Sequence, residues 1–326
     1  SCLTIIKTVN SDMDLIAASP AVEKFQDSKK TADGSDRASV RLREFNLLWL
    51  NTGTLCNLSC DNCYIESTPS NDRLTYLTRG DVQRYLFEIS ALELPVVEIG
   101  ITGGEPFMNP DIHQILGDCL EAGMKVLVLT NAMRPMMKCA DQLLALNQRF
   151  GDQLVLRVSL DHYHPDHHEE ERGQRSWKPA IEGIRWLCDN RFKVRVAART
   201  RWESDQAILR NGFFQLFKQL NLPIDAHDPS ALVLFPEMHD TIEVPEITTE
   251  CWDILNVNPS DMMCASSRMI VRRKHAINAE VVSCTLLPYD PAFSFGPNLK
   301  DSLKPVSLNH PHCANFCVLG GGSCSG

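Results

Sequence analysis

The sequence predicts an α/β protein in which an incomplete (β/α)6 barrel precedes a small C-terminal cysteine-rich domain. Apolar runs alternate with amphipathic stretches six times between residues 45 and 235, a pattern typical of parallel strands joined by helices. The alternation stops near residue 240, and five of the 13 cysteines lie beyond residue 260. We therefore expect an N-terminal extension at 1–44, the barrel at 45–240 and the cysteine-rich domain at 241–326.

The individual elements follow from apolar periodicity and from capping and breaking residues. Thr78 is the expected cap of the first helix, and Pro95 and Gly123 follow the first and second helices. The predicted strands cover 45–50, 96–102, 125–130, 154–160, 193–200 and 231–235, and the predicted helices cover 79–92, 111–122, 136–150, 177–190 and 205–220. Because ligands gather at the carboxyl ends of such strands, functional residues are expected there.

Composition excludes several classes of function. A net charge of −9 over 326 residues argues against a nucleic-acid-binding protein, which would need a basic face. The chain has no apolar run of the about 18 residues that a transmembrane helix needs, and no basic-then-apolar signal at its start. We expect a cytoplasmic protein that binds neither nucleic acid nor membrane, with residues 1–44 as a weakly ordered extension or a flap.

Three cysteines lie on one short loop directly after the first predicted strand. Cys56, Cys60 and Cys63 are separated by three and then two residues, and no fourth cysteine or histidine follows locally. Three thiolates can hold three irons of a 4Fe–4S cubane and leave the fourth iron without a protein ligand. A structural zinc site, the alternative interpretation, closes with four ligands. The spacing therefore favours an iron–sulfur cluster.

Flexible and polar residues stand at the ends of the following strands. The second strand ends in Thr102-Gly103-Gly104-Glu105-Pro106, whose glycines allow close approach to the backbone and whose proline rigidifies the exit. The other strand-end candidates are Asn131 after the third strand, Ser159 and Asp161 at the fourth, and Arg199 at the fifth. Such side chains bind hydroxyl, carboxylate or ammonium groups, but they also form turns or remain solvated charges.

The cysteine spacing closed by Tyr64, together with Gly103-Gly104-Glu105-Pro106, resembles the CxxxCxxC and GGEP motifs of the radical S-adenosylmethionine superfamily. The resemblance implies a 4Fe–4S cluster on Cys56, Cys60 and Cys63 whose free iron binds the methionine moiety of S-adenosylmethionine (SAM). It also implies reductive cleavage of SAM to a 5′-deoxyadenosyl radical, which abstracts hydrogen from a substrate in the barrel mouth.

The same resemblance implies roles for the strand-end residues. The backbone of Gly103 and Gly104 and the carboxylate of Glu105 would engage the methionine ammonium, and Tyr64 would lie against the adenine. The polar side chains Asn131, Ser159 and Asp161 would bind the ribose hydroxyls and the methionine carboxylate of SAM. Apart from the resemblance, Arg199 is a cation at the edge of the sheet where it could bind a carboxylate. Plain packing is the alternative for Tyr64.

A segment rich in histidine and acid follows the fourth strand, from Asp161 to Glu171, and contains four of the ten histidines. Such groups bind metals or move protons. We interpret the segment as a solvated loop that caps the barrel mouth, with His162 and Tyr163 nearest the substrate. A second metal site is the alternative.

The C-terminal region predicts a further cluster. Cys264 and Cys284 flank an expected hairpin, and glycines interleave with the later cysteines. This region resembles the SPASM/twitch extensions of radical SAM enzymes, but it has too few cysteines for two auxiliary clusters. We expect one auxiliary 4Fe–4S cluster, with zinc as the alternative, and its candidate ligands are Cys264, Cys284, Cys313, Cys317 and Cys324.

The predicted function is therefore that of a radical SAM enzyme with an unidentified substrate. A small metabolite is favoured over a peptide, because the chain is acidic and shows no peptide-clasping N-terminal domain. A peptide-modifying maturase and a non-enzymatic iron–sulfur carrier or scaffold remain the alternatives. The implied partners are the substrate and an electron donor such as flavodoxin or ferredoxin.

Overall fold

The computed structural model describes residues 23–237 and 243–322, and these form two compact units. The barrel unit comprises residues 45–235 and 267–302. The terminal unit comprises the described residues of 23–44, 236–266 and 303–322. The units are described separately below.

The barrel unit contains an eight-stranded sheet in the order β7-β6-β5-β4-β3-β2-β8-β9. All neighbours pair in parallel except β8 and β9, which are antiparallel. The strands are β2 Leu47–Asn51, β3 Glu98–Thr102, β4 Lys125–Thr130, β5 Leu154–Ser159, β6 Lys193–Arg199, β7 Leu232–Phe235, β8 Ser267–Val271 and β9 Glu280–Val282. The six predicted strands are all present, which confirms the α/β prediction.

Helices connect these strands as the amphipathic pattern predicts. They are α1 Arg79–Ala91, α2 Ile112–Glu121, α3 Arg134–Met137, α4 Ala140–Phe150, α5 Pro165–Arg172, α6 Trp177–Asp189 and α7 Gln206–Gln219. Thr78 caps α1 in a reciprocal capping box with Asp81, as its position predicts. The single helix predicted at 136–150 is instead divided into α3 and α4 by a break at Lys138 and Cys139.

One face of the sheet forms the main aliphatic core. Leu48, Ile99 and Val126 are register partners on β2, β3 and β4, and all three are fully buried. Burial of three such side chains stabilises the fold by about 1.5–3 kcal/mol each. This core fixes the register, so that the carboxyl ends of the strands reach one edge of the sheet together.

The hairpin expected in the C-terminal domain extends the large sheet instead. β8 pairs in parallel with β2, and all five residues of β8 are buried. β2 is itself buried along its whole length, so its backbone requires partners on both edges. β3 satisfies one edge and β8 satisfies the other, and this long-range pairing has no local sequence signal.

The terminal unit is built from short elements. β1 Ser39–Val40 pairs with β10 Val306–Ser307 in antiparallel fashion, and Arg37 forms a buried ion pair with Glu246. A short helix α8 spans Cys251–Leu255, and a π-helix spans Cys313–Leu319. Residues 23–44 of the expected extension thus take part in structure. Among the described helices, none is both long and apolar enough to cross a membrane.

Candidate active site

The cysteine loop (residues 56–63) lies in the barrel unit just beyond the carboxyl end of β2. Cys56 is buried, Cys60 and Cys63 are half-buried, and all three are free thiols. Backbone N–H groups point at two of the sulfurs, from Leu58 to Cys56 Sγ at 3.5 Å and from Ser67 to Cys63 Sγ at 3.3 Å. Donors so placed stabilise negative charge on sulfur, as in iron–sulfur proteins.

Burial keeps two of these thiols protonated when no metal is bound. It raises the pKa of Cys56 to about 12, and it also raises the pKa of Cys60 against the opposing charge of Arg172. Thiols in this state are poor free nucleophiles at neutral pH, and they become ligands when a metal displaces the proton.

The cysteine loop supplies three thiols that could bind a metal group. Within residues 23–237 and 243–322, no three His, Cys, Asp or Glu side chains converge as ligands for one metal ion. A tetrahedral zinc site requires such convergence. A cubane binds one thiolate at each of three irons, and three is the number of thiols that the cysteine loop supplies.

The glycine turn after β3 supports the start of the cysteine loop. Gly104 N–H donates to the Gly53 carbonyl at 2.7 Å, and Glu105 N–H donates to the Leu55 carbonyl at 3.1 Å. A Cβ at Gly104 would lie 2.2 Å from that Leu55 oxygen, and one at Gly103 would lie 2.6 Å from the Gly53 oxygen. The close approach that these glycines permit is thus made to the chain's own backbone.

Glu105 is a buried carboxylate surrounded by neutral donors. Its oxygens accept from Thr130 Oγ1 at 2.8 Å, from Asn131 N–H at 2.9 Å and from Phe107 N–H at 3.2 Å. Burial raises its pKa to about 7 despite these hydrogen bonds. Glu105 therefore joins the end of β3 to the end of β4 and is close to the point of gaining a proton at neutral pH.

Asn131 connects the same region to the cysteine loop. Its Nδ2 donates to Asn57 Oδ1 at 2.9 Å, and its Oδ1 accepts from Met133 N–H at 3.1 Å. Asn57 lies between Cys56 and Cys60, so the predicted strand-end residue of β4 contacts the loop directly.

The end of β5 carries a carboxylate in an ionic environment. Asp161 pairs with Arg172 through two hydrogen bonds, one of them at 3.3 Å, and Arg199 Nε lies 3.5 Å from its Oδ1. Burial would raise the pKa of Asp161, but the neighbouring arginines outweigh it and hold the pKa below its ordinary value. Ser159 ends β5 and is half-buried.

The segment interpreted as a solvated loop contains the helix α5, so that expectation is wrong. Pro165 occupies the first turn and the His164 side chain accepts from Asp166 N–H, two helix-start signals present in the sequence. Within the segment, His168 is fully buried, and its Nδ1 accepts from Asp161 N–H at 3.3 Å.

The C-terminal end of α5 holds the cysteine loop through Glu171. The Glu171 carbonyl accepts from Asp61 N–H at 2.8 Å, and its carboxylate accepts from Asn62 N–H at 3.0 Å. Arg199 Nη2 donates to the Asn62 carbonyl at 2.7 Å, and Arg201 Nη1 donates to Glu171 at 2.8 Å. These contacts hold Asp61 and Asn62, the two residues between Cys60 and Cys63, in place.

Glu171, Arg172 and Arg201 were not identified from the sequence as site residues. Glu171 and Arg201 contact the cysteine loop across 109 and 140 residues, at Asn62 and Asp61. Arg172 pairs instead with Asp161, which is only 11 residues away. The sequence carries one local signal for these residues, because an acidic run ends in Glu171 and is followed by the cation Arg172. A buried ion pair requires charges of both signs.

The remaining predicted aromatic and histidine residues divide between two environments. The Tyr64 ring lies 4.6 Å from the Arg199 guanidinium, beside the loop. His162 is buried and stacks on Tyr163 with ring centroids 4.1 Å apart. The Tyr163 ring occupies the space where a Cβ of Gly212 would lie, so it packs on α7.

The predicted auxiliary ligands fall in both units. Cys264 and Cys313 are buried and Cys317 is half-buried in the terminal unit, whereas Cys284 is buried in the barrel unit. Backbone N–H groups of Leu286 and Leu287 donate toward the Cys284 sulfur. Cys324 lies outside the described residues, and the auxiliary ligand set stays a prediction.

Comparisons with known proteins agree with this geometry. The family described as Radical SAM superfamily matches residues 50–200. This range includes the cysteine loop, the glycine turn, the ends of β3 to β5 and the C-terminal end of α5.

Two curated relatives match part of the chain. The antilisterial bacteriocin subtilosin biosynthesis protein AlbA of Bacillus subtilis is 31% identical over 158 residues, which are 45% of this chain and 32% of that protein. The AdoMet-dependent heme synthase of Methanosarcina barkeri is 26% identical over 167 residues, which are 51% of this chain and 45% of that protein. The match thus spans less than half the length of either relative.

Two solved structures share the fold. Streptococcus suis SuiB bound to S-adenosylmethionine aligns over 86% of this chain and 73% of its own, with a TM-score of 0.59 and 14% identity. The protein anSMEcpe with bound AdoMet aligns over 82% of this chain and 79% of its own, with a TM-score of 0.57 and 12% identity.

Members of this family are enzymes that use a 4Fe–4S cluster and SAM. The three cysteines of the loop lie within the matched residues, just beyond the carboxyl end of β2. The family match therefore identifies residues 50–200 as a radical SAM domain, and the two solved structures share its fold.

Proposed function

We propose that this enzyme binds a 4Fe–4S cluster through Cys56, Cys60 and Cys63 and uses SAM to modify a peptide. When bound, such a cluster would supply one electron to SAM, and the C5′–S bond would break to give methionine and a 5′-deoxyadenosyl radical that would take hydrogen from the substrate. The observation that carries the peptide proposal is the 31% identity to a protein of bacteriocin biosynthesis.

The chain's own residues position and enclose the reactants in this proposal. Gly104 and Glu105 hold the segment that leads into the cysteine loop, and Glu171 holds the part between Cys60 and Cys63. Asn131, Ser159, Asp161 and Arg199 stand at the same sheet edge as candidate SAM ligands. The Tyr64 ring lies beside the loop and is the candidate contact for the adenine of SAM.

A Cys60→Ala variant tests the cluster assignment. The protein is purified and reconstituted without oxygen, then incubated with SAM and a strong reductant, and 5′-deoxyadenosine is measured. We expect the variant to lose 5′-deoxyadenosine formation and about four irons per chain. Cys188→Ala, at a half-buried helical cysteine, is the matched control and should retain both. Unchanged 5′-deoxyadenosine in Cys60→Ala would contradict the assignment.

A single auxiliary cluster is the second part of the proposal. Cys284 supports it, because its buried sulfur receives backbone N–H groups. We expect Cys284→Ala to lose about four of about eight irons per chain while the cluster of the cysteine loop remains. Zinc found in place of this second set of irons would favour the structural alternative.

A small metabolite is the second candidate substrate, favoured by the match to a heme synthase and by the acidic composition. The two candidates are separated with deuterated extract of the source cells. Deuterium transferred into 5′-deoxyadenosine reports the substrate, and the extract is tested before and after protease digestion. Loss of the transfer after digestion supports a peptide, and persistence supports a metabolite.

A further inference from the structure

A solvent-open hollow of about 540 Å³ lies against the cysteine loop in the barrel unit. Its lining comes from three segments that leave the carboxyl ends of β2, β3 and β4, namely Asn57, Phe107, Met108, Arg134, Pro135 and Lys138. The hollow is thus assembled at the functional edge of the sheet.

The wall of the hollow includes the loop that carries the cluster ligands. Asn57 follows Cys56 directly, and its Oδ1 accepts from Asn131 Nδ2 at 2.9 Å while its Nδ2 lies 4.0 Å from the Met133 sulfur. These contacts fix the loop against the residues that lead into α3. The hollow therefore lies directly against the segment that joins Cys56 and Cys60, the first two candidate cluster ligands.

The hollow carries positive charge on a negatively charged chain. Arg134 and Lys138 are exposed and lie at the start and just after the end of α3, and the lining has no carboxylate. Neither side chain enters an ion pair with any other described residue. Two cations without an ion-pair partner among the described residues thus line a hollow beside the cysteine loop, on a chain whose net charge is −9.

Apolar side chains form part of the lining beside these cations. Met108 and Pro135 are half-buried and Phe107 is buried, and all three contribute to the lining. Met137 of α3, outside the lining, is 37% exposed. An apolar patch with a charged rim is the usual anatomy of a protein interface, and electron-transfer complexes use small interfaces of under about 1,200 Å².

We propose that this hollow docks the acidic redox protein that reduces the cluster, of the flavodoxin or ferredoxin type. The inference rests on the proposed function, because it requires a cluster on the cysteine loop. One electron leaves the reduced flavin or iron–sulfur group of the partner and enters the cluster, and no bond is made or broken. Arg134 and Lys138 attract the partner's carboxylates, which raises the rate of encounter.

The test compares a protein donor with a neutral small donor. The double variant Arg134→Glu with Lys138→Glu and the wild-type holoenzyme are mixed anaerobically with fully reduced flavodoxin, and bleaching of the cluster's visible absorbance is timed. We expect the double variant to be slower by about ten-fold or more at low salt, with the difference shrinking as salt rises. Photoreduced deazariboflavin, which is small and uncharged, should reduce both proteins equally.

A matched control separates local charge from net charge. Lys193→Glu with Lys218→Glu changes the net charge equally, at two exposed lysines, the first of which begins β6 at the opposite end of the sheet. This control should stay within about two-fold of wild type with flavodoxin. An equal loss in the control, or no loss in the Arg134/Lys138 variant, would overturn the docking surface. If the Arg134/Lys138 variant turned over substrate more slowly but was reduced by flavodoxin at the wild-type rate, the docking surface would be overturned. The two cations would then bind an acidic substrate instead.

The same experiment distinguishes failure of the docking surface from failure of the proposed function. If wild-type protein shows no visible absorbance that deazariboflavin can bleach, the cluster itself is absent. If wild-type protein bleaches with both donors and the variants match it, the cluster stands and only the docking surface fails.

Discussion

At the end of β3 the buried carboxylate of Glu105 contacts only neutral donors, whereas at the end of β5 the buried carboxylate of Asp161 contacts two arginines. Burial acts on both, but it raises the pKa of Glu105 to about 7 while the arginines keep the pKa of Asp161 below its ordinary value. Neutral hydrogen bonds therefore do not offset the desolvation of the Glu105 carboxylate, whereas the two arginines offset that of Asp161.

The same contrast applies to the cysteine loop. Residues 53–55, which lead into it, are held by backbone hydrogen bonds from Gly104 and Glu105, while Asp61 and Asn62 contact an ionic network around Glu171. The first support consists of neutral backbone hydrogen bonds, so we expect it to be insensitive to salt. The second contains charged side chains, so we expect salt to weaken it. Substitutions at each support can measure the difference.

Removal of the charge on Asp161 should give the largest loss of stability. Asp161→Asn keeps the shape of the side chain but leaves the largely buried Arg172 without its main counter-charge. We expect the free energy of unfolding to fall by about 3–5 kcal/mol, as for other broken buried pairs. Anaerobic urea unfolding measures this, with the exposed Asp152→Asn as the control that should change little. A loss of less than about 1 kcal/mol would mean that Arg172 is solvated after the substitution.

Glu105→Gln should remove a pH-dependent part of the free energy of unfolding that amounts to about 3 kcal/mol between pH 4.5 and about 7. Because the folded pKa of about 7 exceeds the ordinary 4.5, the folded state binds more protons than the unfolded state between these values. Wild-type stability should therefore fall as pH rises from 4.5 to about 7, at about 1.4 kcal/mol per pH unit at most, and level off above.

The comparison for Glu105 is the difference in unfolding free energy between wild type and Glu105→Gln at each pH, so that other groups cancel. Glutamine does not titrate, so the variant should lack the fall. Parallel curves for the two proteins would show that Glu105 stays ionised through hydrogen bonds alone.

These two carboxylates also show how far the sequence predicts the site. Cys56, Cys60, Cys63, Gly104 and Glu105 were identified because their motifs are local and short. Strand-end positions such as Asp161 followed from the alternation of strands and helices, since parallel strands end at one edge.

What escaped prediction depends on contacts between distant parts of the chain. Glu171 contacts Asn62 across 109 residues, and β8 pairs with β2 across more than 200. No periodicity records such pairings, because they are decided by which buried backbone and charged groups lack partners once the local elements have formed. The helix α5 is different, since Pro165 and the capping His164 were local signals.

Gly104→Ala should perturb the neutral support by a smaller amount. The added Cβ would lie 2.2 Å from the Leu55 carbonyl oxygen, so the segment leading into Cys56 must move. We expect a loss of about 1–3 kcal/mol in unfolding free energy together with a lower iron content after reconstitution. Gly117→Ala is the control, because a Cβ within α2 meets only Leu146 at 4.0 Å and should stabilise the helix by about 0.5–1 kcal/mol. Full iron content in Gly104→Ala would show that the loop can shift without losing its ligand geometry.

Arg201→Gln should give the smallest effect and the clearest signature of charge. The guanidinium is partly exposed and lies 3.1 Å from Asp61 and 2.8 Å from Glu171, but Asn62 N–H still donates to Glu171 without it. We expect a loss of about 1 kcal/mol or less at low salt, and less still at about 1 M salt, where charges are screened within about 3 Å. Arg149→Gln, which removes a more exposed pair with Glu121, should cost almost nothing at either salt concentration.

The loss in Gly104→Ala should not depend on salt, since it arises from a steric clash. If Arg201→Gln proved equally insensitive to salt, its contact with the loop would act by packing, and the two supports would not differ in kind.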